Sequence, residues 1–209
     1  MTASEDKRRL TAKGQATRLR IVDAASGLML EHGVTRTTLE DIQRAAAVSP
    51  SQLYHYFRDK DELVLAVVDR LTEIVLDVQH MGLDRMDSLA ALRRWRDLVV
   101  DLTRQAECVG GCPLGSLASN LAEPNPIARA RLAQSFAQWE KLLVAGLAAM
   151  QATGELRADA DPEELGLALL AAAQGGLLLS QVRRDTKALE TALDTAINYI
   201  ETQTTPAGS

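Results

Sequence analysis

Two helix-start signals that lie close together constrain this chain most, because they leave room for only one short helix between them. Thr38 precedes an apolar periodic run and has an acidic residue, Asp41, three positions later. Ser49 is followed by Pro50 and Gln52, the arrangement of a capping box with proline in the first turn. The pattern predicts two short helices joined by a tight turn, a helix-turn-helix over about residues 38–57.

Helical spacing of apolar residues continues along the rest of the chain. A first helix is predicted from about residue 17 to 32, and a fourth from about residue 59 to 80. Five further helices follow, over about 88–107, 114–123, 127–152, 162–184 and 186–202. Alanine and leucine dominate, and the residues that favour strands are sparse. We therefore predict an all-α protein.

The charge is divided between a basic N-terminal part and an acidic remainder. The net charge is −5, yet basic residues outnumber acidic ones in residues 1–60, and the segment 7–20 has no acidic residue. This asymmetry is compatible with a nucleic-acid partner, although a solvated basic tail gives the same pattern. The most apolar segment, residues 165–179, is too short to span a bilayer, and the N-terminus lacks the apolar run of a secretory signal. We expect a soluble, cytoplasmic protein with no membrane partner.

The second short helix is predicted to have one apolar side and one polar side. Leu53 and Phe57 are four positions apart and are expected to pack inward. The residues expected to point outward are Ser51, Gln52, His55 and Tyr56. Glutamine can pair bidentately with adenine, and tyrosine hydroxyls and Lys60 are placed for phosphates. A recognition helix in a DNA major groove and a plain amphipathic surface helix explain this spacing equally well.

Residues 37–63, TTLEDIQRAAAVSPSQLYHYFRDKDEL, resemble the DNA-binding signature of the TetR family of bacterial transcriptional repressors. In that signature an Ile-x-x-x-Ala-x-Val-Ser core leads to Leu-Tyr-x-x-Phe and Lys-x-x-Leu. The matching residues are Ile42, Ala46, Val48, Ser49, Leu53, Tyr54, Phe57, Lys60 and Leu63. The resemblance implies an N-terminal three-helix DNA-binding domain with a helix-turn-helix, followed by a larger helical domain for effector binding and dimerisation.

Three positions depart from the family pattern. Ala47 stands where the family usually has glycine, and a left-handed alanine there costs about 1 kcal/mol. Pro50 and Ser51 occupy positions that are often lysine and glycine. The operator sequence therefore does not follow from the resemblance.

The resemblance also implies a division of the chain and a function. The DNA-binding domain is expected at 1–60 with a basic arm at 7–20, the effector-binding and dimerisation domain at 61–203, and a flexible tail at 204–209. The implied protein is not an enzyme and needs no cofactor. It is a homodimeric repressor that binds a palindromic operator in double-stranded DNA and is released by a small, mainly apolar effector. The expected DNA contacts are Thr38, Ser49, Ser51, Gln52, Tyr54, His55, Tyr56 and Lys60.

Candidate effector and dimer residues come from the second domain. The expected pocket residues are Trp95, Leu117, Asn120, Leu121, Phe136, Trp139, Leu143, Gln174 and Leu178, although such residues are more often plain core. The TetR family dimerises through its last two long helices, and the expected contacts are Leu169, Ala173, Gly176 and Leu177. Burial of that helix within one subunit is the alternative for the same apolar pattern.

Cys108 and Cys112 are too few for a disulfide scaffold, and no histidine lies close enough in sequence to complete a zinc site. The segment around Cys112 resembles the Gly-Cys-x-x-Gly segment of some TetR relatives, a few of which sense electrophiles or oxidants. The alternative function is therefore a thiol-based redox or electrophile sensor, or a thiol enzyme, using these two residues. Inert buried cysteines explain the pattern as well. A third interpretation is a helical ligand-binding dimer that does not bind DNA.

Overall fold

The computed structural model describes residues 10–83 and 86–205, which contain nine α-helices and one isolated β-bridge. The helices are α1 (Ala12–His32), α2 (Leu39–Ala46), α3 (Pro50–Tyr56), α4 (Lys60–Leu83), α5 (Leu89–Gln105), α6 (Pro113–Leu121), α7 (Pro126–Ala152), α8 (Pro162–Arg183) and α9 (Lys187–Thr202). The prediction of an all-α fold with an N-terminal helix-turn-helix is confirmed. The chain divides into two compact units, Met1–Arg70 and Leu71–Ser209. The boundary between the units lies after Arg70, inside α4, whereas the sequence suggested a boundary after residue 60. Helix α4 continues across it without a break.

Helix α1 begins earlier than its apolar spacing predicts. The Thr11 hydroxyl accepts a hydrogen bond from the Gly14 backbone N–H at 3.2 Å, so the helix starts at Ala12. The first turns contain alanine, lysine, glutamine and arginine, which form helix without needing an apolar side. Lys13 and Arg18 are therefore helical and are not part of an extended arm. Residues 7–9 of the expected basic arm lie outside the described residues.

The core of the first unit is formed by all four of its helices. Its fully buried side chains include Ile21, Met29, Ile42, Leu53, Phe57, Leu63 and Val67. Two arginines of α1 link this core to the short helices. The Arg18 guanidinium lies 5.1 Å from the centre of the Phe57 ring, and Arg20 Nε donates to the Ala46 carbonyl at 2.9 Å. The ends of α2 and α3 are thus fixed against α1.

In the second unit, ion pairs connect α5 to α9 along their exposed sides. Arg96 donates to both carboxylate oxygens of Asp194, at 2.8 and 2.7 Å. Helices α8 and α9 pack closely at Gly176, where an added Cβ would lie 2.7 Å from the Leu189 Cα. Helix α8 is long and apolar enough to cross a membrane by length and composition alone, but core helices of soluble proteins share these properties.

The ordered C-terminal segment extends two residues into the tail that was predicted to be flexible, residues 204–209. Thr204 forms the isolated β-bridge with Leu156, and the Thr205 N–H donates to the Glu155 carbonyl at 2.8 Å. These two residues therefore belong to the folded unit, because backbone hydrogen bonds secure them. The remaining tail, residues 206–209, lies outside the described residues.

Candidate nucleic-acid interface and ligand cavity

The turn between α2 and α3 depends on a left-handed residue that is not glycine. Ala47 has φ 49° and ψ 52°, and its N–H donates to the Arg44 carbonyl at 3.2 Å. The Val48 N–H donates to the Gln43 carbonyl at 3.1 Å, which satisfies a second carbonyl at the end of α2. Alanine is thus tolerated where glycine is preferred, at a cost of about 1–2 kcal/mol.

A complete capping box starts α3. The Ser49 hydroxyl accepts from the Gln52 backbone N–H at 3.2 Å, and the Ser49 backbone N–H donates to Gln52 Oε1 at 2.9 Å. Leu53 is 0% exposed and Phe57 is 1% exposed, so the expected apolar side faces the core. The outward residues Ser49, Ser51, Gln52, Tyr54 and His55 are all exposed. The helix therefore presents a polar surface on an anchored apolar base.

The capping box changes what Gln52 can offer to a ligand. Its carbonyl oxygen already accepts from the Ser49 N–H and has one lone pair left, so bidentate pairing with adenine would have to share this oxygen with the cap. The amide nitrogen Nε2 points away from this bond on the same exposed side chain and can donate. The amide nitrogen is therefore the donor that this exposed side chain can offer.

Thr38 forms a second capping box, at the start of α2. Its hydroxyl donates to Asp41 Oδ2 at 2.6 Å and accepts from the Asp41 backbone N–H at 3.1 Å. The hydrogen bond from the Thr38 hydroxyl, then that from the Thr38 backbone, lowers the pKa of the Asp41 carboxyl below 3.8. Thr38 is exposed, but its hydroxyl proton is committed to this carboxylate.

Tyr54, Tyr56 and Lys60 have different surroundings. Tyr54 is 55% exposed, whereas Tyr56 is half-buried, with its ring edge-on to His55 at 4.9 Å. The Lys60 ammonium donates to the Val34 carbonyl at 2.6 Å, in the loop between α1 and α2. Lys60 therefore connects the start of α4 to this loop, and any phosphate contact would have to share the same ammonium.

The second unit contains a cavity of about 220 Å³ with an almost entirely apolar wall. Helices α4, α5, α7 and α8, the segment between α5 and α6, and the first residue of α6 contribute to it. The lining residues are Ile74, Val75, Val78, Gln79, Val99, Leu102, Thr103, Ala106, Cys108, Val109, Gly111, Cys112, Pro113, Trp139, Leu177 and Gln181. Several apolar residues on this wall, such as Ile74 and Val109, are also partly exposed to solvent, so the cavity has an apolar opening.

Of the nine expected pocket residues, Trp139 lies on this wall. Trp95, Leu117, Leu121 and Leu143 are buried away from it, and Asn120, Phe136, Gln174 and Leu178 do not line it. Trp95 instead donates from its indole nitrogen to Gln79 Oε1 at 2.8 Å. The residues missed on α4 and α5 have the same apolar spacing as core residues, so the sequence carries no signal for them. The cysteine segment, which stood out in the sequence, does lie on the wall of this cavity.

Both cysteines line the cavity and are buried as free thiols. Cys112 precedes the first residue of α6, and Gln174 Nε2 donates to its sulfur at 3.4 Å. Cys108 has φ 55°, a left-handed conformation, and its carbonyl accepts from the Arg184 guanidinium at 2.9 Å. The segment between α5 and α6 is thus strained and is held in place by side chains of α8 and of the residue after it.

The exposed side of α8 is apolar and differs from the expected dimer face. Leu169, Ala173 and Gly176 are buried within the subunit against neighbouring helices, and Leu177 lines the cavity. Leu169, Ala173 and Gly176 therefore do not face outward, Leu177 is half-buried, and the opposite side of the helix is exposed. The exposed apolar residues there are Leu167, Ala168, Ala171, Leu178, Leu179 and Val182.

Comparisons with known proteins agree with this architecture. Residues 21–67 match the family described as bacterial regulatory proteins, tetR family, and residues 88–196 match the tetracyclin repressor-like C-terminal domain. An HTH-type transcriptional regulator in the lacX 3′ region of Lactococcus lactis is 32% identical over 85% of this chain and 90% of its own length. The HTH-type transcriptional repressor DhaR of Mycobacterium sp. strain GP1 is 26% identical over 83% of this chain and 86% of its own.

A crystal structure shows the same relationship in three dimensions. A TetR transcriptional regulator from Chloroflexus aurantiacus superposes with a TM-score of 0.81 at 26% identity, over 93% of this chain and 98% of the other. The helix-turn-helix, the two units and both family matches lead to one conclusion. The chain belongs to the TetR family of bacterial transcriptional regulators.

Proposed function

We propose that the protein is a repressor that binds a palindromic operator as a homodimer and is released by a small, mainly apolar effector. The observation that carries this proposal is the exposed polar side of α3, which stands on a capped and buried base. Short polar groups on a rigid helix can reach base edges and phosphates at little entropic cost. Members of this family are transcriptional regulators, so the proposal is a binding function.

The proposed DNA contacts follow from exposure and from hydrogen-bonding groups that the fold leaves available. Tyr54, His55, Ser51 and Gln52 Nε2 are the main candidates, because they are exposed on the outer side of α3. Ser49 and Tyr56 are flanking candidates. Thr38 and Lys60 remain candidates for phosphate contacts, but each is already committed to an internal hydrogen bond.

Replacement of a single hydroxyl tests the DNA contact. DNase footprinting of the DNA upstream of the protein's own gene first defines the operator, and fluorescence anisotropy then measures affinity. Tyr54→Phe removes one hydroxyl per subunit and is expected to weaken binding of the dimer about 30-fold, from about 1 kcal/mol per lost hydrogen bond. Ser119→Ala is the control, because it removes an exposed hydroxyl from α6, outside the proposed dimer surface, and should leave affinity unchanged. Equal affinity of the Tyr54→Phe and wild-type proteins would remove Tyr54 from the interface.

The proposed dimer forms through the exposed apolar side of α8 and the adjacent surface of α9. Val182 is 74% exposed, Leu178 is 61% exposed and Leu167 is 54% exposed, which is unusual for three aliphatic residues on one side of a helix. A second copy of the chain offers the same apolar side, so a twofold contact would bury both. Two recognition helices about 35 Å apart would then read two half-sites.

One charge placed on this surface tests the dimer. Val182→Glu is expected to give a monomer by analytical ultracentrifugation at micromolar concentration and to abolish operator binding, because the carboxylate would be buried without a partner. Ile127→Glu introduces the same charge at another aliphatic residue, 69% exposed on α7, and should leave the dimer intact. A dimeric Val182→Glu protein would place the interface elsewhere.

The proposed effector site is the cavity of the second unit. Its wall has no charged side chain, so a neutral apolar molecule fits it better than an ion. Helix α4 supplies several wall residues from Ile74 onwards, and the same helix begins at Lys60, directly after the helix-turn-helix. A ligand that prefers one position of α4 would therefore shift the population of DNA-binding conformations.

A bulky residue at the opening tests the effector site. Ala106 is exposed and lines the cavity, so Ala106→Trp should fill the opening without disturbing the core. This variant is expected to bind operator normally but to keep it bound when apolar two-ring compounds release the wild-type protein. Ala90→Trp, at an exposed position of α5 outside the cavity, is the control and should respond like wild type. Release of both variants by the same compounds would contradict the assignment.

A second candidate function, thiol-based sensing of electrophiles, is supported by the position of both cysteines on the cavity wall. The Gln174 amide that donates to Cys112 Sγ can stabilise developing charge on the sulfur. With an unsaturated ketone, a bond would form between the sulfur and the β-carbon, and the thiol proton would move to the α-carbon. Mass spectrometry should then show an adduct on Cys112 together with operator release. Unchanged release in Cys112→Ser would reject this function.

A further inference from the structure

The two tryptophans of the second unit, Trp139 and Trp95, differ in whether the indole nitrogen has a hydrogen-bond acceptor. Trp139 is 2% exposed and lines the cavity. Its Nε1 has no protein acceptor within hydrogen-bonding distance, and within residues 10–83 and 86–205 no other buried side-chain nitrogen or oxygen lacks a partner. Trp95 is equally buried, but its Nε1 donates to Gln79 Oε1 at 2.8 Å. The protein therefore supplies an acceptor to the indole N–H of Trp95 but not to that of Trp139.

A buried donor without an acceptor is destabilising, and nearly all such groups in folded proteins are paired. The neighbouring polar groups of the wall do not relieve it. Gln79 Oε1 accepts from Trp95, and neither the Thr103 hydroxyl nor the Gln181 amide oxygen forms a hydrogen bond with Trp139 Nε1. Because the Trp139 ring borders the cavity, a molecule bound there can supply the acceptor. Rotation of the ring about χ2, a soft torsion, is the motion that would present the N–H to such a molecule.

The chemistry of the wall then defines the ligand more narrowly than apolar character alone. An indole N–H only donates, so the ligand must provide an acceptor. None of the lining side chains carries a formal charge, so a carboxylate or phosphate would lose its hydration without a counter-charge. We propose that the effector is a neutral, mainly apolar molecule with a carbonyl or ether oxygen, and that Trp139 Nε1 is the group that selects this oxygen. This inference rests on the proposed effector site.

Two ligands of the same shape test the inference. In 2-acetylnaphthalene a carbonyl oxygen stands where 2-isopropenylnaphthalene has a methylene group, and both are neutral. Isothermal titration calorimetry on the full-length protein should show the ketone binding about tenfold more tightly, because only the ketone accepts a hydrogen bond. Trp139→Phe should abolish this preference while retaining the alkene affinity. Trp95→Phe is the matched control, because it removes an indole N–H that the protein already satisfies, and the preference for the ketone should persist.

A second measurement does not depend on a substitution. The protein has two tryptophans, so its ¹⁵N spectrum has two indole N–H signals. The ketone should move the Trp139 signal downfield, and the alkene should not. Equal affinity for both ligands in the wild-type protein, or a ketone preference that survives in Trp139→Phe, would overturn the role of Trp139. Failure of both ligands to bind at all would instead refute the effector site itself.

Discussion

Substitution of Gln52 by glutamate separates the two roles that the structure gives this residue. Its carbonyl oxygen accepts from the Ser49 backbone N–H at 2.9 Å and so completes the capping box of α3. Its amide nitrogen remains exposed on the outer side of the helix and is the group proposed to donate to a base. Glutamate preserves the acceptor and removes the donor, whereas alanine removes both.

Gln52→Glu is expected to have opposite effects on the stability of the fold and on the affinity for the operator. A carboxylate at the start of a helix contributes about 0.3–1 kcal/mol through the helix dipole, so Gln52→Glu should be as stable as wild type or slightly more stable. Gln52→Ala should lose about 0.5–1 kcal/mol with the cap. For binding, the lost hydrogen bond costs about 1 kcal/mol per subunit, and the carboxylate near phosphates costs about 1 kcal/mol more. Over two subunits the sum is about 4 kcal/mol, or roughly a thousandfold in affinity for Gln52→Glu.

Urea unfolding and fluorescence anisotropy on the footprinted operator measure the two effects on the same proteins. Gln52→Ala should bind about 30-fold more weakly than wild type, because only the hydrogen bond is lost. Gln138→Glu, at an exposed position of α7, makes the same change in net charge and should bind as wild type does. Operator affinity of Gln52→Glu within threefold of wild type would refute the role of Gln52 in DNA binding. A Gln52→Glu protein less stable than Gln52→Ala would refute the capping box.

Three further predictions concern the stability of the fold. Ala47→Gly should stabilise the protein by about 0.5–1 kcal/mol in urea unfolding by relieving the left-handed alanine, whereas Ala45→Gly in the exposed interior of α2 should destabilise it by about 1 kcal/mol. The hydrogen bond from the Thr38 hydroxyl lowers the pKa of the Asp41 carboxyl below 3.8. The stability that this carboxylate adds to the fold is therefore complete above pH 3.8 and is lost as the pH falls through the lowered pKa. In the Asp41→Asn variant, the free energy of unfolding should depend less on pH in that acidic range. Gly176→Ala should destabilise the protein by about 1–3 kcal/mol, since the added Cβ would lie 2.7 Å from the Leu189 Cα of α9. At Gly175 an added Cβ would meet no atom within 4 Å, so Gly175→Ala should stabilise a monomeric variant by about 1 kcal/mol.

The helix-turn-helix could be predicted because its signals are local. The caps at Thr38 and Ser49 act over three residues, and the apolar pair Leu53 and Phe57 acts over four, so short windows of sequence contain all the information needed. The start of α1 could not be predicted from apolar spacing, because its first turns are helical by propensity and by the cap at Thr11.

The cavity and the exposed side of α8 could not be predicted, for a different reason. Val78 on a cavity wall and Val67 in a closed core occupy the same kind of position on α4, and only the packing of other helices distinguishes them. Helix α8 is apolar nearly all the way round, so the sequence does not show which side meets α9 and which remains exposed. Three of the expected dimer contacts, Leu169, Ala173 and Gly176, therefore fall on the buried side.

The geometry of α8 connects the two proposed sites of the second unit. Leu177 and Gln181 line the cavity, and the residues that follow each of them, Leu178 and Val182, lie on the exposed apolar side. Consecutive residues of a helix point about 100° apart, so a ligand and a partner subunit would contact adjacent sides of the same turns. A packed helix moves as a unit and does not deform locally, so a shift of less than 1 Å that accommodates a ligand would also move the surface offered to the partner. Effector size should therefore matter more than effector affinity in releasing the operator, because only a ligand that displaces α8 distinguishes the two states.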